Sequence, residues 1–201
     1  MNFKYQGQQE HLQAEEIKMK KTALTATFLS FFCLVNLAWG EIDLKEIEKL
    51  AESGDIEAQF NLGFMFDQGQ GVPQNYAEAV KWYRKAADQG HVDAQYFLGT
   101  MYVQGQGVPQ NYAEATTWLK KAAEQGLTDA QFILGGMYYH GQGVLKSLQA
   151  AYVWWSIASE SGDKTSKKNL EMLSSEMTPQ QIAQAQKEAD ELRKRINKSK
   201  K

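Results

Sequence analysis

The stretch Ser161-Gly162-Asp163-Lys164 fits S-x-x-K, the spacing with which a serine nucleophile and a lysine open acyl transfer on β-lactams and related amides. That chemistry also calls on S-D-N and K-T-G elements, and neither occurs in the chain. His91 and His140 stand 49 residues apart, at no spacing that metal ligation would use, so neither is assigned a metal or general-base role. The paired glycines Gly69/Gly71, Gly105/Gly107 and Gly141/Gly143 resemble a phosphate-binding loop only superficially. They follow a helical pattern rather than a strand, and the third glycine is missing. What remains is a row of carboxylates, Glu57, Asp93 and Asp129, each 36 residues from the next. Such a row suits the basic side chains or backbone amides of an extended segment. No catalytic residue, metal or cofactor is expected.

The spacing of those carboxylates belongs to the whole chain. Gly54, Gly90, Gly126 and Gly162 also fall 36 residues apart, and Gly54–Gln89 matches Gly90–Gln125 at 23 of 36 positions. Ser161 takes the place of Gln89 and Gln125, at the end of a repeat, which favours coincidence for the S-x-x-K match. A period of this length predicts a solenoid, in which each unit buries its apolar face against its neighbours.

Each unit reads as two helices, A and B, around a turn. Ala58, Leu62, Met65 and Phe66 share one face of helix A, and Gly69-Gln70-Gly71 ends it. Asn75 is the expected N-cap of helix B, which buries Ala79, Trp82, Tyr83, Ala86 and Ala87 before Gly90 breaks it. Gly63, Gly99 and Gly135 lie in mid-helix, where glycine costs up to about 1 kcal/mol against alanine. Their recurrence predicts a neighbouring helix too close for a side chain, and Ala86-Ala87 and Ala122-Ala123 are read in the same way.

The motifs A-Q-x-x-L-G-x-M, G-x-G-V-P-Q-N-Y-x-E-A and W-x-x-K-A-A-x-Q-G, as they stand in the first two units, resemble the Sel-one-like repeat family, a relative of the tetratricopeptide arrays. The resemblance covers about 108 residues, Asp55–Gly162, plus caps. It implies an all-α, right-handed solenoid of three helix-turn-helix repeats whose concave side is lined by the A helices. It also implies protein–protein scaffolding rather than catalysis. Some relatives are linked to β-lactam binding or hydrolysis, but those look cysteine-rich. On the inner stripe Glu57, Asn61, Phe64 and Gln68 are matched by Asp93, Phe97, Thr100, Gln104 and by Asp129, Ile133, Gly136, His140. Two readings stand: packing between A helices, which suits Phe97 and Ile133, or a groove for a peptide or a partner's helix or loop. The groove reading takes Glu57, Asn61, Phe64, Asp93, Thr100, Asp129 and His140 as candidate contacts.

The third unit departs from the pattern. Pro109-Gln110-Asn111-Tyr112 becomes Leu145-Lys146-Ser147-Leu148, and Ala150–Ala158 is apolar almost all round, so a cover is expected on more than one side. Residues 163–201 supply it through Asn169–Leu173 and a long helix opened by Thr178, Pro179 and Gln181 in a capping box, with Ile182, Ala185, Ala189, Leu192 and Ile196 as its stripe. At the other end 41–54 reads as half a unit, with Ile47, Leu50 and Ala51 as the opening cap.

Residues 1–40 are expected to hold an upstream extension and a signal peptide. Lys18, Lys20 and Lys21 precede uncharged Thr22–Gly40, which ends in Ala38-Trp39-Gly40; Met19 reads as the true start, and an uncleaved anchor is the alternative. Cleavage removes Cys33, the single cysteine, and with it any disulfide. Glu41–Lys201 carries 21 acidic and 18 basic residues, six of the basic ones after Leu192, so the body is acidic and argues against nucleic acid. The basic tail reads as a solvated, frayed helix end or, alternatively, a membrane-surface contact. The expectation is a monomeric, non-catalytic scaffold in the periplasm of a Gram-negative bacterium or secreted from it. It binds a protein or peptide and has no stable membrane insertion. An envelope enzyme acting on peptidoglycan or β-lactams is the alternative.

Overall fold

The computed structural model describes residues 44–199. The signal-peptide reading, Cys33 and the last two lysines lie outside the described residues. The chain divides into Met1–Glu46 and Ile47–Lys201, and of the first unit only the start of one helix is described. Among the described residues there are nine helices and no strand: α1 (Leu44–Glu52), α2 (Ile56–Gln68), α3 (Tyr76–Asp88), α4 (Val92–Gln104), α5 (Tyr112–Glu124), α6 (Thr128–His140), α7 (Leu148–Glu160), α8 (Lys164–Glu176) and α9 (Pro179–Ser199). From α2 to α7 each helix packs on the next in chain order, and α7 then carries both α8 and α9. The second unit is therefore an all-α repeat solenoid with a helical cap.

Local chemistry sets the boundaries. Gly69, Gly105 and Gly141 close the A helices α2, α4 and α6 in the left-handed conformation, at φ 67°, 70° and 71°. Asn75 Oδ1 accepts from the Ala77 and Glu78 amides at 3.1 and 3.2 Å, and Asn111 repeats this for α5. Ser147 substitutes in the third repeat, accepting from the Ala150 amide at 3.1 Å. Thr178 and Gln181 form the expected capping box, with the Thr178 amide donating to Gln181 Oε1 at 2.8 Å and the Gln181 amide to Thr178 Oγ1 at 3.3 Å.

The mid-helix glycines are there for space. A Cβ on Gly63 would lie 2.8 Å from the Tyr83 ring, on Gly99 2.7 Å from Leu119, and on Gly135 2.5 Å from the Trp155 ring. Each is a close approach between helices A and B of one repeat. The second glycine of each later loop makes a different contact. A Cβ on Gly107 or Gly143 would overlap the backbone carbonyl of Tyr76 or Tyr112, so each loop rests on the first turn of helix B in the repeat before it. Ala79, Ala86, Leu98, Ala115, Leu119, Ala122, Leu134 and Ala151 fill the continuous core.

Two expectations need correction. Ala51 is fully buried and Ile47 half-buried, but Leu50 is 45% exposed, because no described helix packs broadly against α1 to cover it. Among the described residues the basic stretch is helical rather than frayed: α9 runs to Ser199, Ile196 is buried, and Arg193 pairs with Glu160 of α7 and with Asp190 at 2.7 Å, while Lys194, Arg195 and Lys198 are solvated as expected. On the B-helix side two lysines lie over indoles. Lys85 lies 3.8 Å over the Trp82 ring and Lys121 4.0 Å over Trp118, so their ammonium groups cover indoles at the rim of the core.

Candidate binding surface

The A helices present their first turns side by side. Asp55 caps α2, accepting from the Ala58 amide at 2.8 Å; His91 does the same for α4 through Nδ1, at 3.2 Å from the Ala94 amide; Leu127 gives α6 no such bond. His91 is thus a capping residue. The other ring nitrogen, Nε2, stands 3.4 Å from Glu57, and the ring stacks on Phe60 at 4.4 Å. Glu57, Asp93 and Asp129 occupy equivalent first-turn positions, where a carboxylate also complements the helix dipole. All three are exposed.

Behind them lies an aromatic layer that crosses from the first repeat to the second. Phe64 and Phe97 meet edge to face at 6.1 Å, Phe97 stacks on Tyr83 at 5.3 Å, and Tyr96 meets Phe97 at 5.4 Å. Phe60, Phe64, Tyr96 and Phe97 are half-buried, so this layer is both core rim and accessible surface. Burial raises the Tyr96 phenol above its ordinary value, and the Asp129 charge raises it further. Burial likewise raises Tyr83, helped by the charge of Asp67 and a 3.4 Å bond to that carboxylate.

Two clefts divide the candidate contacts. One, of about 750 Å³, lies at the repeat starts and brings Glu57, His91 and Asp93 together. The other, of about 370 Å³, lies between α2 and α4 and takes in Gln68, Tyr96, Phe97, Thr100 and Gln104. Thr100 uses its hydroxyl to donate to the Phe97 carbonyl at 2.8 Å. Asn61 is exposed, Asp129 lies outside both clefts, and exposed His140 packs edge-on against Tyr139 at 5.0 Å.

Ser161 and Lys164 stand on opposite sides of a turn. Ser161 is the C-cap of α7 and donates to the Ile157 carbonyl at 3.2 Å, whereas Lys164 begins α8 after its cap Asp163. Among the described residues no three His, Cys, Asp or Glu side chains gather as a metal site, and no helix is long and apolar enough to cross a membrane.

Sequence reasoning passed over a set of glutamines. Gln59, Gln95 and Gln131 are buried and donate to the Ala51, Ala87 and Ala123 carbonyls at 3.0, 3.1 and 3.1 Å. Gln89 and Gln125 then donate to Gln59 and Gln95 at 2.8 and 2.9 Å. The signal was there: a polar residue repeated without change beside the buried Ala58 position.

These features define a helix-pair repeat scaffold, and comparison with known proteins gives it a family. The Sel1 repeat family model matches residues 56–91, 92–127 and 128–163, and the chain belongs to that family. Among solved structures the chain is similar to a Sel1 repeat protein from Oxalobacter formigenes, at 39% identity and TM-score 0.59, over 64% of this chain and 97% of that one. It is also similar to c5321, described as a protective antigen of uropathogenic Escherichia coli strains displaying an SLR fold, at 28% identity and TM-score 0.55, over 82% of this chain and 46% of that one. Over 67 residues it is 40% identical to the secretory immunoglobulin A-binding protein EsiB of Escherichia coli O6:H1, a match spanning 33% of this chain and only 14% of EsiB. Sel1 repeat proteins serve in general as protein-interaction scaffolds.

Proposed function

We propose that this chain is a non-catalytic scaffold of the bacterial envelope that holds a protein or peptide partner on the A-helix side of its repeats. One observation carries the reading: the exposed carboxylates Glu57 and Asp93 share a cleft with His91, whose ring stacks on half-buried Phe60 at the edge of the aromatic layer. Acidic groups of this kind steer and orient a basic segment, while the aromatics supply the desolvated anchor that holds it. Asp129 extends the row into the third repeat, Asn61 stands one turn further along α2, and Thr100 and His140 lie farther along α4 and α6 on the same stripe. The names of the E. coli relatives, one an antigen and one a ligand of an antibody, support placement outside the cytoplasm, as does the lysine-flanked run Thr22–Gly40.

Partner capture is read by crosslinking in the envelope followed by mass spectrometry, with secretory immunoglobulin A as the first purified probe. Glu57→Lys combined with Asp93→Lys lowers capture at least about tenfold, ~1.4 kcal/mol, with an unchanged circular dichroism spectrum. Lys85→Glu combined with Lys121→Glu leaves capture in place. The opposite pattern moves the interface to the B-helix side and ends this reading.

A further inference from the structure

The three repeats contain the same polar slot, and the protein fills it from within only twice. In the first repeat the Gln89 amide donates to Gln59 Oε1 at 2.8 Å and to the Gly54 carbonyl at 3.3 Å. In the second, Gln125 donates to Gln95 Oε1 at 2.9 Å and to the Gly90 carbonyl at 3.0 Å. Each slot therefore holds one carboxamide NH2 between two carbonyl oxygens. In the third repeat Gln131 keeps its bond to Ala123 and is 1% exposed, but the residue opposite is Ser161, whose short side chain turns back to Ile157. Gln131 Oε1 is left as a buried acceptor without a hydrogen-bond partner, an arrangement that folded proteins rarely tolerate.

Gln131 lines a cleft of about 210 Å³ between the third repeat and α9, whose other walls include Gly126, Ile157, Glu160, Ser161, Arg193 and Asn197. The α9 wall is tied to α7 through Arg193, which pairs with Glu160 and is held on its own helix by Asp190. We propose that this cleft is a receptor for a primary carboxamide, presented by a glutamine or asparagine side chain of a peptide or by a free small amide. The incoming NH2 group donates to Gln131 Oε1 and to the Gly126 carbonyl, repeating what Gln89 and Gln125 do two repeats and one repeat earlier. Arg193 and Asn197 carry N–H groups of the kind that its carbonyl oxygen requires. A carboxylate of the same shape brings no hydrogen to the two acceptors, so the cleft discriminates glutamine from glutamate, as sites built around buried polar groups do. The cleft shares none of the candidate contacts on the A-helix side and stands independently of them.

The test follows the Gln131 side-chain amide of the full, isotope-labelled chain by NMR while Ala-Gln-Ala, Ala-Glu-Ala or acetamide is added. Ala-Gln-Ala shifts that resonance saturably and Ala-Glu-Ala does not; a saturable response to acetamide as well marks a small-amide receptor, and its absence a peptide one. Ser161→Gln supplies the missing amide from within, so it loses the Ala-Gln-Ala response at least about tenfold and melts at a higher temperature. Equal responses to the two peptides, no saturable response to either amide, or an undiminished response in Ser161→Gln overturns the proposal.

Discussion

Tyr83 in the first repeat, Leu119 in the second and Trp155 in the third make the same contact with a helical glycine, yet the helices that carry them meet different neighbours. Behind α3 and α5 comes another repeat, whereas α7 is covered by α8 and α9. The first two repeats accordingly carry side-chain caps on both helices and a glutamine pair within, although the Trp118 indole N–H of the second is buried without a partner. The third has no side-chain cap at Leu127 and lacks the partner for Gln131, but it buries Val153, Trp154, Trp155 and Ile157 together. A terminal repeat thus exchanges local hydrogen bonding for apolar burial under its cap, which is why its sequence drifts furthest from the repeat pattern.

The strongest way to break that comparison is to remove the cap. Deleting 178–201 uncovers Val153, Trp154 and Ile157, each worth about 1.5–3 kcal/mol when fully buried. It also removes the Gln149–Glu188 bond of 2.8 Å, whose donation to the carboxylate, second to that of Gln184, holds Glu188 below the usual carboxylate range. The truncated protein melts markedly lower or aggregates. An unchanged melting temperature in a soluble monomer would show that the third repeat is as independent as the others.

Gln125→Ser sharpens the comparison by giving the second repeat the slot of the third. Gln95 Oε1 then loses its donor while remaining buried, at a cost of about 1–3 kcal/mol. Urea denaturation measures the loss. No loss would mean that the polar bonds of the early repeats contribute little, and that the two kinds of repeat differ only in their neighbours.

The finest probe is a pair of adjacent glycines in α6. Gly135→Ala drives a methyl group into the Trp155 ring and destabilises by about 1–3 kcal/mol. Gly136 has nothing within 4 Å of a Cβ, so Gly136→Ala stabilises by up to about 1 kcal/mol through helix propensity. Thermal melts of the two variants should move in opposite directions. A matching sign would separate glycine's role here from the close approach of helix B.

The repeats, the helix pairs, the glycine contacts and the capping box were legible in sequence because they follow local spacing or the 36-residue period. The candidate site was legible as a stripe but not as clefts. The capping of α4 by His91, the lysines over Trp82 and Trp118 and the Gln59–Gln89 bond depend on where side chains point across a turn or a repeat. Leu50 misled because apolar spacing alone does not say whether a neighbour is present to cover it.

Gly107 and Gly143 place each loop on the carbonyl of the preceding repeat with no side chain between them. The step from one unit to the next is therefore measured main chain against main chain, and substitution on the surface does not retune it. Growth of such an array needs only duplication: a copied Gly90–Gln125 brings both halves of its own junction. A partner that spans several units meets a fixed ruler whose markings can be rewritten one residue at a time.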